Sequence, residues 1–157
     1  DLSGWVLDSG CNIADSRMTV LGGEFAVLLL VEGQWNSLAK LEDQHDQVAE
    51  RLGMSFSLKR TEQKASEAAF LPYAVDVVAL DHPGIVHNLA SFFSKRSINI
   101  QDLTTSSYAA AHTGTQMFSV HICLDVPGDT HIAGLREEFL DFCDRLNLDA
   151  VIEPLKN

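Results

Sequence analysis

The sequence predicts an α+β chain of two small units in tandem, each on the plan strand–helix–strand–strand–helix–strand. Three observations carry this. Apolar residues alternate in several short runs, as in Tyr73, Val75, Val77 and Ala79, which is the spacing of a strand with one buried face. Other runs repeat every three or four residues, as in Ile85, Val86, Leu89, Phe92 and Phe93, which stripes one side of a helix. Finally, an offset of 87 residues lays Asn12-Ile13-Ala14-Asp15 on Asn99-Ile100-Gln101-Asp102. The same offset puts Leu2 on Leu89, Trp5 on Phe92, Val6 on Phe93 and Gly10 on Ser97, which marks an internal duplication. A βαββαβ unit folds as a four-stranded antiparallel sheet with two helices on one face, the ferredoxin-like split βαβ arrangement.

Taken in order, Leu2, Trp5 and Val6 have helical spacing, and Gly10 closes that helix as a C-terminal cap. Ile13–Leu21 reads as a strand, Gly22-Gly23 as a hairpin turn, and Glu24–Val31 as an apolar strand that Gly33 ends. Trp35, Leu38, Leu41, His45, Val48 and Leu52 stripe a helix over 36–51, stopped by Gly53. Met54, Phe56 and Leu58 alternate with polar residues and predict a half-buried strand over 54–59. Thr61–Leu71 is polar, alanine-rich and without period. The units are therefore set at residues 1–61 and 72–157, with a linker at 62–71.

The second unit opens with the strand Tyr73–Ala79 and the helix Ile85–Arg96. Ile98–Tyr108 is a strand, 109–114 a loop, and Thr115–Val126 a strand with Phe118, Val120, Ile122 and Leu124 on one side. After the turn at Pro127-Gly128, Ile132, Leu135, Phe139, Phe142, Cys143 and Leu146 stripe a helix, and Leu148–Leu155 closes as a strand. The first unit starts inside its first helix and so lacks its opening strand. The duplication predicts roughly 15–20 further residues before Asp1, a short strand and a turn like that at Asp81–Gly84.

With 22 acidic and 11 basic residues the chain carries a formal net charge of −11. That argues against direct contact with nucleic acid, whose phosphates need a basic surface. The longest apolar run, Phe25–Val31, is too short to span a bilayer. Cys11, Cys123 and Cys143 are odd in number and too few for a disulfide framework, which suits a reducing cytosol. His45, His82, His87, His112, His121 and His131 form no zinc-binding spacing, and no G-x-S-x-G elbow is present. His45 and Cys143 read as core or boundary side chains, His121 as a polar-face residue, and Cys11 and Cys123 lack flanking bases. No cofactor, metal or catalytic residue is expected.

The stretch Asp81-His82-Pro83-Gly84-Ile85 joins a strand to a helix. Pro83 presets a helical φ at a first helical position, Asp81 can accept orphan N–H bonds, and Gly84 admits a close approach. It is either a well-capped helix start or a cradle for a carboxylate at the positive helix end. Asn99 and Asn12 either turn the chain between helix and strand or offer an amide to a ligand.

The run Ala79-Leu80-Asp81-His82-Pro83-Gly84-Ile85-Val86, a striped helix, and then Ser97-Ile98-Asn99-Ile100 resembles the D-x-P-G-(I/V) … G-x-N-I signature of ACT domains. These are small βαββαβ regulatory modules that commonly bind amino acids. The likeness spans nearly the whole chain, with His82 where Arg is commonest and Ser97 where Gly is usual. It implies an effector held between the turn of one unit and the second strand of a neighbouring one. Asp81, His82, Pro83, Gly84 and Ile85 would form the turn, and Asn99 with Ile100, or Asn12 with Ile13, the strand edge. The tandem layout is also similar to two-unit ACT repressors. That implies a non-enzymatic cytoplasmic homodimer relieved by a small amino acid such as glycine and working through a LysR-type transcription activator. The alternative is an ACT sensor that regulates a metabolic enzyme.

Overall fold

One element order runs twice through the computed structural model, which describes residues 1–62 and 69–156. The chain divides into Asp1–Gln63 and Lys64–Asn157. The first unit holds α1 (Leu2–Asp8), β1 (Asn12–Leu21), β2 (Glu24–Glu32) and α2 (Trp35–Leu52). The second holds β3 (Phe70–Leu80), α3 (Ile85–Ser94), β4 (Asn99–Ala109), β5 (Gln116–Pro127), α4 (Ile132–Arg145) and β6 (Asp149–Pro154).

In the second unit the strand order is β4-β5-β3-β6, all antiparallel neighbours, which is the ferredoxin-like topology. Val75, Val77, Val120, Ile122, Leu124 and Val126 point from β3 and β5 to the helices and are buried. There they meet Phe92 and Phe93 of α3 and Phe139 of α4. The rings of Phe93 and Phe139 lie 5.1 Å apart, and those of Phe92 and Phe142 4.9 Å. These separations are those of attractive ring pairs.

The first unit repeats the plan with fewer parts. Gly22 and Gly23 both take positive φ, 60° and 85°, as a two-residue hairpin with a right-handed twist requires. Val6, Cys11 and Leu41 form the core, with Trp5, Ile13, Leu29, Val31 and Leu38 against it. Trp5 stacks on Phe56 at 5.8 Å and donates its indole N–H to Gln44 Oε1 at 3.2 Å. The sheet has two strands, and Met18, Val20 and Phe25 on its helix-facing side are exposed.

The duplication extends to hydrogen bonds. After α1, the N–H of Gly10 reaches Leu7 O and that of Cys11 reaches Val6 O; after α3, Ser97 reaches Ser94 O and Ile98 reaches Phe93 O. Each is a Schellman closure around a left-handed residue, Gly10 at φ 82° and Ser97 at φ 55°. The β1/β2 register shifts between Ile13 and Asp15, and the β4/β5 register between Ile100 and Asp102. Both helices and both bulges thus keep the offset of 87 (Asn12 to Asn99).

Three expectations need correction. Residues 54–59 form no strand. Their alternation survives as burial, with Met54 and Phe56 half-buried, but β6 pairs along β3 and the described residues of the first unit hold no counterpart of β3. Phe70 and Leu71 of the expected linker lie in β3 opposite Pro127 and Val126; residues 63–68 of that linker lie outside the described residues. Helix α3 ends at Ser94 instead of Arg96, because the left-handed turn at Ser97 draws the last residues into its closure.

Candidate functional site

The turn after β3 grows out of the sheet. The Asp81 N–H still donates to Gln116 O at 3.0 Å, one bond beyond the last strand pair. His82 sets its Nδ1 3.1 Å from the neighbouring Pro83 carbonyl. Gly84 then stands as N-cap at φ 91°, ψ 0°, and Asn88 N–H makes the first helical bond to Gly84 O at 2.9 Å. Residues Asp81 to Gly84 are exposed, while Ile85 is buried and anchors the turn to the core.

The capping expectation fails here. No side chain caps α3. Asp81 lies three residues before the N-cap Gly84, too far back to cap the helix. Pro83 precedes the N-cap and so does not occupy the first helical position. The outcome is a helix start whose first-turn N–H groups have no side-chain cap, beside a glycine with open space. A Cβ on Gly84 would meet only Asn88 Nδ2, at 3.8 Å. A carboxylate fits such an end by charge and by hydrogen bonding.

Asn99 opens β4, exposed, opposite Asp125; Ile100 follows, half-buried, opposite Leu124. In the first unit Asn12 is opposite Glu32 and Ile13 opposite Val31. Each repeat therefore sets an amide across from a carboxylate, just ahead of the bulge. Gln101, the bulged residue, donates its side-chain amide to Asp125. Glu32 and Asp125 were missed by the reading of the sequence. The signal was there, in an acid closing each apolar run, Val31-Glu32 and Leu124-Asp125. Further along β1, Asp15 accepts from Arg17 Nη1 at 2.6 Å and Ser16 N at 2.8 Å. The Arg17 hydrogen bond leads in holding the Asp15 carboxyl below its ordinary range.

The register decides what one unit can do alone. Leu80, at the end of β3, faces Met117, whereas Asn99 faces Asp125. Along β5 those positions are about 27 Å apart. The turn and Asn99-Ile100 of the second unit thus stand at opposite ends of one sheet, and no amino acid spans them. The described residues contain one copy of the turn and two of the strand start.

A separate groove of about 740 Å³ runs between α1 and α2, with Trp5 and Val48 in its lining and Asp8, Lys40 and Arg51 among its charged residues. It touches none of the predicted residues. Among the described residues no helix is long and apolar enough to cross a membrane.

Residues 1–59 match the family described as ACT domain. The chain is 26% identical, over 94% of its length and 77% of the relative's, to the glycine cleavage system transcriptional repressor of Escherichia coli (strain K12). It superposes with TM-score 0.74 and 25% identity on a crystal structure provisionally named a glycine cleavage system transcriptional repressor, covering 98% of this chain and 86% of that one. An unknown protein from Galdieria sulphuraria shares the fold, with TM-score 0.75, 22% identity and coverage of 98% and 88%.

Proposed function

We propose that this chain, whose residues 1–59 match the ACT-domain family and which resembles the glycine cleavage system transcriptional repressor, is a tandem ACT protein and a non-enzymatic regulator that senses a small amino acid such as glycine. It acts on transcription through a protein partner, a LysR-type activator, and not through DNA. Its net charge of −11 favours a protein contact over a phosphate backbone.

The effector sits at the turn of one chain, against a strand start of a second chain. The uncapped start of α3, with Gly84 left-handed and exposed, is the observation that carries this reading. Its N–H groups take the carboxylate. Asn99 or Asn12 of a neighbouring unit offers an amide carbonyl to the ammonium, with Asp125 or Glu32 across the ladder as a carboxylate of suitable charge. Because the turn lies a sheet length from Asn99, the strand start that completes the site comes from a second chain in a homodimer. The functional modules are residues 1–61 and 72–157.

Titration calorimetry of the full chain with glycine, serine and alanine tests the effector. Heat with glycine that disappears in Asn99→Ala or Asn12→Ala supports the site; no heat with any of them removes the sensing role. A pull-down against a LysR-type activator, with and without glycine, tests the partner separately, and failure to capture it at either condition removes the indirect mechanism.

A further inference from the structure

On β5, His121 and Cys123 are two residues apart, so both side chains leave the sheet on the face without helices. The two meet, with Cys123 Sγ 3.6 Å from His121 Nε2. On the other side of the ring, His121 Nδ1 is 2.6 Å from Asp76 Oδ1, and Asp76 is directly opposite on β3. A carboxylate accepts, so Nδ1 carries the ring N–H and the Nε2 lone pair is left facing the thiol. Nucleophile, base and orienting acid thus stand in the order that thiol attack requires.

We propose that Cys123 is a reactive thiol, with His121 as its base and Asp76 as the positioning residue, and that it forms mixed disulfides with small cationic disulfides. The Cys123 S–H bond breaks and its proton passes to His121 Nε2. The sulfur pair attacks one sulfur of the disulfide, forming the new S–S bond. The other sulfur leaves as a thiolate and takes the proton from His121. Cys123 is oxidised and the departing half is reduced. The base is needed because burial, then the Asp102 and Asp76 carboxylates, push the Cys123 thiol up and keep it protonated at rest.

The charges on that face choose the reagent. Asp102 on β4 is opposite Cys123, and alternation adds Asp125 on β5 and Asp149 and Glu153 on β6 to the same side as Asp76. Among the described residues, no Lys or Arg occupies an alternate position facing that side. A shallow cavity of about 250 Å³ beside the imidazole is lined by Thr104, Ser106 and Ser119 as well as Asp76 and His121. Asp76 is its one acid, but the carboxylates around it make the face acidic, which disfavours the anionic glutathione disulfide and suits a cationic disulfide such as cystamine. The other thiols are sequestered, Cys143 at 1% exposure and Cys11 at 5%.

The full chain is treated with cystamine near neutral pH and its cysteines mapped by mass spectrometry over time. The adduct is expected on Cys123 first, with glutathione disulfide slower by about tenfold at low salt and the gap closing as salt rises. His121→Gln should slow the reaction by about 10²-fold. Asp76→Asn should slow it less but displace the pH–rate profile, a readout that a purely structural role would leave in place. Both side chains are exposed, so unchanged thermal melting is the control; were His121→Gln to melt early, Asp76→Asn would decide. Unaltered rates in the folded variants, labelling of Cys11 or Cys143 ahead of Cys123, or equal rates for the two disulfides would overturn the assignment.

Discussion

Replacing Gly84 by alanine separates what the turn costs from what it binds. Gly84 sits at φ 91°, where an L side chain pays about 1–2 kcal/mol. Alanine also stiffens the unfolded chain, which returns about 0.4–1 kcal/mol. The nearest atom to the new Cβ would be Asn88 Nδ2 at 3.8 Å, an ordinary contact, so no steric cost is added. The net destabilisation is therefore about 1 kcal/mol. For a unit of this size that lowers the melting temperature by roughly 4–8 °C. Differential scanning calorimetry reads the melting shift, and titration calorimetry of the same sample reads glycine binding. Binding should be lost, because the methyl group stands beside the N–H groups that hold the carboxylate. A loss above about 3 kcal/mol would refute the account of open space. A mild loss with glycine affinity intact would refute the placement of the effector.

Other outcomes follow from the same geometry. A Cβ at Gly33 would lie 2.8 Å from the buried Cys11 Sγ; Gly33→Ala should cost about 1–3 kcal/mol by overpacking, measured by chemical unfolding, and a Cys11→Ala background should recover most of it. Because Asp15 is lowered chiefly by its hydrogen bond from Arg17, Arg17→Ala should raise its titration midpoint, followed by NMR; the wild-type contribution is present above the unfolded value and fades as pH falls through the folded one. Burial, then Asp144, pushes the Cys143 thiol from 9.0 to about 12. Only the unfolded thiol ionises between those values, so stability is full below 9.0 and declines above it. Cys143→Ala should flatten that alkaline limb in a series of unfolding measurements.

Periodicity and the repeat made most of the fold legible, because alternation and helical striping are local. What failed was non-local. Residues 54–59 alternate like a strand, yet a strand exists only by pairing, and the described residues supply no partner. The polar, alanine-rich and aperiodic run Thr61–Leu71 made Phe70-Leu71 look like linker, although both pair along β5, opposite Pro127 and Val126. At the turn, Gly84 was recognised as the open residue, but Asp81 was credited with a cap although the helix starts only after Gly84, three residues on. Cys123 was read as a thiol without a neighbouring base. His121 was two positions away on the same face, and its orienting Asp76 lies 45 residues back. Sequence distance hides a constellation of that kind; sheet register creates it.

The order β4-β5-β3-β6 also has a consequence during synthesis. β3 is made first, yet it ends between two strands that come later. Its pairing with β5 waits for Gln116–Pro127, and its other edge stays bare until Asp149–Pro154 has been made. On the ribosome the nascent second unit therefore carries an apolar strand with an open flank for most of its translation. The hairpin of the first unit, closed by Gly22-Gly23 alone, needs no such wait. Stalling translation before Asp149 should leave this half as prey for chaperones and proteases while the earlier hairpin is already zipped.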